Sequence, residues 1–138
     1  MADAASERKL QQAFTQHLDL TQGHLMRLEE TIASSPSPVP DDPCEAMQGL
    51  ISDCNRIIHA DGPGEVKDVA LIAAAQRVEH YEISAYRTAR TLADQLDQRD
   101  ARQLLSETLD EESQADELLT KLATGGLIFA GINERAQP

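Results

Sequence analysis

The sequence has no Trp, two Tyr and two Phe, an aromatic share of 3%. A core with so few rings must be aliphatic, and the apolar content is mostly Leu, Ala, Ile and Val, which suits close helix packing better than a sheet interior. Cations are scarce too: 12 Lys and Arg stand against 24 Asp and Glu, for a formal net charge of -12. Nucleic acid and anionic lipid need clustered positive charge, so neither is an expected partner. No apolar run approaches the roughly 20 residues that cross a bilayer, and the start, MADAASERKL, has no apolar signal core. The expected setting is cytoplasmic. Cys44 and Cys54 are the two cysteines. On one helix they would lie about 15 Å apart at ~1.5 Å per residue, too far to bond. Neither sits in a CxxC pair, so a thiolate metal site is not expected, and both read as reduced, small apolar fillers.

A chain of 138 residues is long enough for one core and too short for two. A single helical domain is expected over 1–124, with a tail at 125–138. Leu10, Phe14, Leu18, Leu25, Leu28 and Ile32 recur at helical spacing and predict a first helix over about 6–34, with Ser6 as its cap. The prolines between Ser34 and Pro43 remove donors and exclude the α region from their predecessors, which makes this stretch a linker. Asp42 as cap and Pro43 at the first helical position predict a shorter helix over about 43–60. A third helix is expected over about 65–97. Asp100 with Gln103 reads as a capping box for a fourth, ending near Thr124-Gly125-Gly126. The apolar tail segment Leu127-Ile128-Phe129-Ala130 either lies back on the bundle or a partner, or frays.

Two of these helices carry a carboxylate on an apolar stripe. On the third the stripe is Leu71, Ala74, Val78, Glu82, Ala85, Ala89, Leu92 and Leu96; on the fourth it is Ala101, Leu105, Thr108, Glu112, Ala115, Leu119 and Leu122. An unpaired buried carboxylate costs several kcal/mol, so such groups share a proton, meet a cation or bind a metal. The first helix adds Asp19, Gln22, His17 and His24. Helical two-metal carboxylate sites take one Glu from each of two helices and a Glu-x-x-His pair from each of the others, and their oxygen and imidazole donors suit iron or manganese. This chain fits incompletely. Asp19 with Gln22 has the spacing without the imidazole, Glu112 is followed by Ala115 with Asp116 one step on, and Glu79 leans toward Ala75, Ile83 and Tyr86. The plainer alternative is a bundle whose Glu82, Glu112 and Asp19 bond to Arg77, Tyr81 or Tyr86, with His17, His24 and His59 at the surface or boundary. No nucleophile with its base, phosphate loop or nucleotide fingerprint is present.

The segment CEAMQGLI at 44–51, the stretch DVALIAAAQRVEHYEISAY at 68–86 and the later LLSETLDEE resemble the YciE/YciF family of ferritin-like proteins, in the same order and over residues 1 to about 124. The resemblance implies an all-α, antiparallel ferritin-like bundle, a bacterial cytoplasmic homodimer linked to stress responses, and a two-metal centre without a settled activity. Matched residue by residue, it points to Glu79, Glu82, Glu112 and Asp116 as ligands. Asp19 stands where the family generally has Glu, Gln22 where some members have His, and His24 where others do. It also implies that Met1 falls where the family's first long helix ends, so that a helix with an Ala-Glu ligand motif is missing. That would leave an apolar groove to be closed by dimerisation. Two functions are therefore expected to compete: a metal protein handling oxygen or peroxide, and a structural or interaction protein that uses the groove and holds no metal.

Overall fold

The computed structural model describes residues 1–34, 42–126 and 129–137. A short 3-10 turn, Ala2–Ala4, leads into α1 (Arg8–Ala33), followed by α2 (Glu45–Ile58), α3 (Gly64–Gln95) and α4 (Arg99–Thr124). Two-residue strands β1 (Gly125–Gly126) and β2 (Phe129–Ala130) pair antiparallel, and the one-turn helix α5 (Ile132–Arg135) follows. The protein is thus an all-α bundle with one small hairpin. Most of the Pro/Ser linker, at 35–41, lies outside the described residues, as do Leu127 and Ile128.

The long helices α1 and α3 both pack against α4, while α2 lies against α3. Contacts fix the directions. His24 and Arg27 of α1 meet Glu111 and Thr108 of α4 in descending order, so α1 and α4 are antiparallel. Cys44 meets Tyr81 and Asp53 meets Arg77, which sets α2 antiparallel to α3. The α3–α4 turn is closed by Gln98 N–H donating to the Ala93 carbonyl, with Asp97 left-handed at φ 55. That 6→1 bond satisfies a carbonyl at the end of α3 and lets α4 start at once.

The apolar core comes in two parts. Leu10, Ala13, Leu71, Ile72, Leu119 and Leu122 build one, which Ile132 of α5 completes at 2% exposure. Tyr86, Ala93, Ala101, Leu105 and Leu109 build the other. Between them, along each long helix, stand polar side chains: His17 and His24 on α1, Glu79 and Glu82 on α3, Thr108 and Glu112 on α4. α4 buries the face expected of it. α3 does so only in its first part, where Leu71 and Ala74 are buried; further on the buried positions are Glu79, Tyr86 and Ala93, one beyond Val78, Ala85 and Leu92. Leu92 is 52% and Leu96 67% exposed. The polar members Glu79 and Tyr86 turn inward because α1 and α4 present histidines and a carboxylate to them. On α1, Leu18, Leu25 and Ile32 are likewise exposed.

The helix starts differ from expectation for local reasons. Ser6 does not cap α1; its N–H (2.7 Å) and Oγ (2.6 Å) both donate to Asp68, whose second oxygen also takes the Glu7 N–H at 2.8 Å. Asp68, 1% exposed, is the stronger acceptor, and Glu7 caps the helix by accepting from Lys9 N–H. Cys44 precedes α2 in place of Asp42, and Gln98 precedes α4, with Asp100 inside its first turn where an anion suits the helix dipole. The tail folds back: Arg135 donates to Glu7, and a Cβ on Gly131 would stand 2.4 Å from the Ala123 carbonyl oxygen.

The Asp68 clamp ties the chain start to α3 across 62 residues. Asp68→Ala leaves two backbone N–H groups and a hydroxyl without their charged acceptor, and is expected to cost about 2–4 kcal/mol in urea denaturation. Asp68→Asn, which keeps an acceptor oxygen, should cost clearly less.

Candidate metal centre

Each residue of the polar layer reaches it by helical register. His17 and His24 are seven positions, two turns, apart on α1, so both face the bundle. Glu79 stands seven before Tyr86 on α3, and Glu112 seven before Leu119 on α4. Three of its members are almost fully buried, Glu112 at 0%, His24 at 2% and Glu79 at 3% exposure, while the His17 side chain is 23% exposed.

His17 Nε2 lies 3.3 Å from Glu79 Oε1 and 3.7 Å from Glu112 Oε2. One donor atom from each of these three residues falls within 4.8 Å of the others. A first-row cation with bonds of ~2.0–2.2 Å separates its ligand atoms by roughly 3.0–3.4 Å, so this spacing suits one ion. His24 Nδ1 lies 2.9 Å from Glu112 Oε1, while its Nε2 is 2.8 Å from Glu111 Oε2. Arg27 donates to both Glu111 oxygens at 2.7 and 2.9 Å and holds that carboxylate in place.

The layer is incompletely satisfied. Among the described residues His17 Nδ1, His24 Nδ1, Glu79 Oε2 and both Glu112 oxygens are buried without a hydrogen-bond partner. Native interiors rarely leave such atoms unpaired, and here five belong to four neighbouring side chains. Burial pushes the Glu79 carboxyl up to about 10, helped by the adjoining Glu112 carboxyl, which favours a proton on Glu79, and by the charges of Glu82 and Asp116. Burial, then Glu112, brings Glu82 to about 7. Burial also lowers His17, against the pull of Glu112, which favours the neutral imidazole that metals bind. Glu111 is lowered by Arg27.

The expected ligands divide accordingly. Glu79 and Glu112 meet at the centre, and Glu82 is half-buried beside them. Asp116 turns away: it accepts from Gln76 at 2.9 Å and pairs with His80 at 3.2 Å. Asp19 and Gln22 are exposed on α1, Asp19 on the far side from His17, since two helical positions are ~200° apart. Of the partners expected on the plainer reading, Arg77 pairs with Asp53 and Tyr81 with Cys44, while Tyr86 is buried beside His24. Sequence reading underrated His17 and His24, though their seven-residue spacing on the Leu10, Phe14 and Leu28 side of the helix was the available signal. A cavity of about 250 Å³ between α1 and α4, walled by Phe14, Leu20, Leu118 and Leu119, reaches His17 and Glu79.

Residues 1–136 match a family described as a domain of unknown function, DUF892. Protein YciF of Escherichia coli strain K12 is 44% identical over 138 residues, which span 99% of this chain and 80% of the relative. The crystal structure of the E. coli stress protein YciF superposes with a TM-score of 0.83 at 48% identity, over 88% of this chain and 77% of that one. YcfI, a putative structural protein from Rhodopseudomonas palustris, gives 0.82 at 33% identity, over 88% and 78%. The bundle is therefore ferritin-like, and the chain belongs to the YciE/YciF family, DUF892.

Proposed function

We propose that the protein is a stress-associated, ferritin-like metal protein that binds iron or manganese at His17, Glu79 and Glu112, in a carboxylate-rich centre. The observation that carries this reading is that one donor atom each of His17, Glu79 and Glu112 lies within 4.8 Å of the others, with Glu79 Oε2 and both Glu112 oxygens buried and without hydrogen-bond partners. A cation there would meet those carboxylates, and the donor set of imidazole and carboxylates fits iron or manganese. The stress association comes from the E. coli relative's description. Two free cysteines agree with a reducing, cytoplasmic setting.

Bound iron or manganese would supply electron transfer to oxygen or peroxide. The chain's own contribution is positional. His17 would offer a neutral ring nitrogen, Glu112 a carboxylate oxygen, and Glu79 a carboxyl that would give up its proton to a cation. The two apolar cores keep bulk water from above and below, and the α1–α4 cavity admits a small molecule to the His17 side.

A second reading, a structural protein that self-associates, is favoured by Leu18, Leu25 and Ile32, exposed at seven-residue spacing along α1. Both readings allow a homodimer closing that face. Light scattering is expected to give a dimer, and a compact, stable monomer would remove this assembly.

Two predictions test the metal. Elemental analysis after loading with iron(II) or manganese(II) should find metal in the native protein, while Glu112→Ala and Glu79→Ala lose it; undiminished binding in both would refute the site. The second uses protons. Glu79 and Glu82 have folded-state values above their ordinary one, so their contribution to stability is full below about pH 4.5 and shrinks as pH rises through about 7 and toward about 10. Chelator-treated protein should therefore have a lower denaturation midpoint at pH 8 than at pH 5. Glu79→Gln should narrow that gap.

A further inference from the structure

Beside the polar layer, between α1 and α4, the cavity of about 250 Å³ has mostly apolar walls. Phe14 and Leu20 come from α1, and Ala115, Leu118 and Leu119 from α4. Leu20 and Leu118 are exposed, so the cavity opens to solvent past two large apolar side chains. Water fills such a space poorly, because each molecule needs about two to four polar partners and most of this wall has none to give. A cavity of roughly 150 Å³ takes a benzene-sized guest, so the larger space here suits a molecule of roughly eight to ten non-hydrogen atoms.

The polar part of the wall decides what kind of molecule fits. His17 and Glu79 line it, and each carries a buried atom without a hydrogen-bond partner, Nδ1 of the ring and Oε2 of the carboxyl. Glu111 lines it too, but its oxygens are taken by Arg27 and His24. An anionic head would meet the Glu111 carboxylate. A cationic head would shed its hydration to enter a wall where Arg27 already answers that carboxylate. An uncharged hydroxyl both gives and takes a hydrogen bond, so it can pair with imidazole and carboxyl together. Apolar walls with a few convergent polar groups are the usual form of a small-molecule site.

We propose that the α1–α4 cavity binds a compact, uncharged organic molecule with a hydroxyl-type head, as alcohols, phenols and organic hydroperoxides have. The head sits at His17 and Glu79, and the carbon body lies among Phe14, Leu118 and Leu119. This site is separate from the metal reading: it needs no ion, and in a metal-loaded protein the head would lie beside the centre.

Nuclear magnetic resonance on metal-free full-length protein with labelled leucine methyl groups tests it, with benzyl alcohol as the probe. The methyl signals of Leu20, Leu118 and Leu119 should shift and saturate, while those of Leu105 and Leu109 in the other core stay in place. Toluene, which lacks the head, should bind about 2–10-fold more weakly, and benzoate and benzylamine, with charged heads, more weakly still. His17→Phe should bring the alcohol down to the level of toluene. Ala115→Phe, which fills the cavity from its wall, should abolish the shifts; if that variant does not fold, Ala115→Leu should weaken them. Shifts that do not saturate, or that persist unchanged in a folded Ala115 variant, would overturn the site. Toluene, benzoate or benzylamine binding as tightly as the alcohol would overturn the assigned head. Because the titration contains no metal, its failure leaves the metal reading standing, and a protein that takes up no metal leaves this result untouched.

Discussion

Glu79 and Glu112 face one another from α3 and α4 with almost no access to water, and much of the bundle's interior is arranged around that fact. Two ionised carboxylates this close in a dry layer cannot both persist without compensation, because each has lost its hydration. Protons, imidazoles and cations are the available remedies. The chain supplies the first two in part: Glu79 holds its proton far above the ordinary range, and two histidines from α1 stand within reach. Compensation is still incomplete, as the unpaired atoms show. The two apolar cores on either side could have been one. Splitting them with a polar layer sacrifices burial at the middle of the bundle, where it is worth most.

The layer also explains why α3 buries a less apolar face than its sequence offers. Turning Glu79 and Tyr86 inward leaves Leu92 52% and Leu96 67% exposed, forgoing roughly 1–2 kcal/mol for each side chain. Exposed leucines on α1 repeat the pattern. The chain accepts this on two helices at once, and on each the inward polar residue belongs to the same layer.

Most of the architecture was legible in the sequence. The spacing of Leu105, Thr108, Glu112 and Leu119 identifies the inward face of α4, and Gly125 marks its end. Glu112 stood out because a carboxylate interrupts an otherwise apolar stripe. α3 was less legible, since two heptads offset by one residue compete and the more apolar of them, Leu71 to Leu92, is the one that faces away for much of its length. Histidines suffer a similar ambiguity. His17 and His24 suit a boundary as well as a site, and only the opposing carboxylates of α3 and α4 decide between them. Caps were the least legible, because Ser6 answers to Asp68, a residue far along the chain.

The short turn after α3 has a consequence for the order in which this interior can assemble. Leu96, Asp97 and Gln98 are all that separates two helices of 32 and 26 residues. Closing so small a loop costs far less chain entropy than bringing α1 across the intervening sequence to α4. The hairpin of α3 and α4 therefore has the cheaper route to contact, and that contact already brings Glu79 against Glu112. The histidines come only with α1. During assembly the repulsion would precede its relief, and the nascent hairpin must either hold a proton between its carboxylates or wait for α1 to dock.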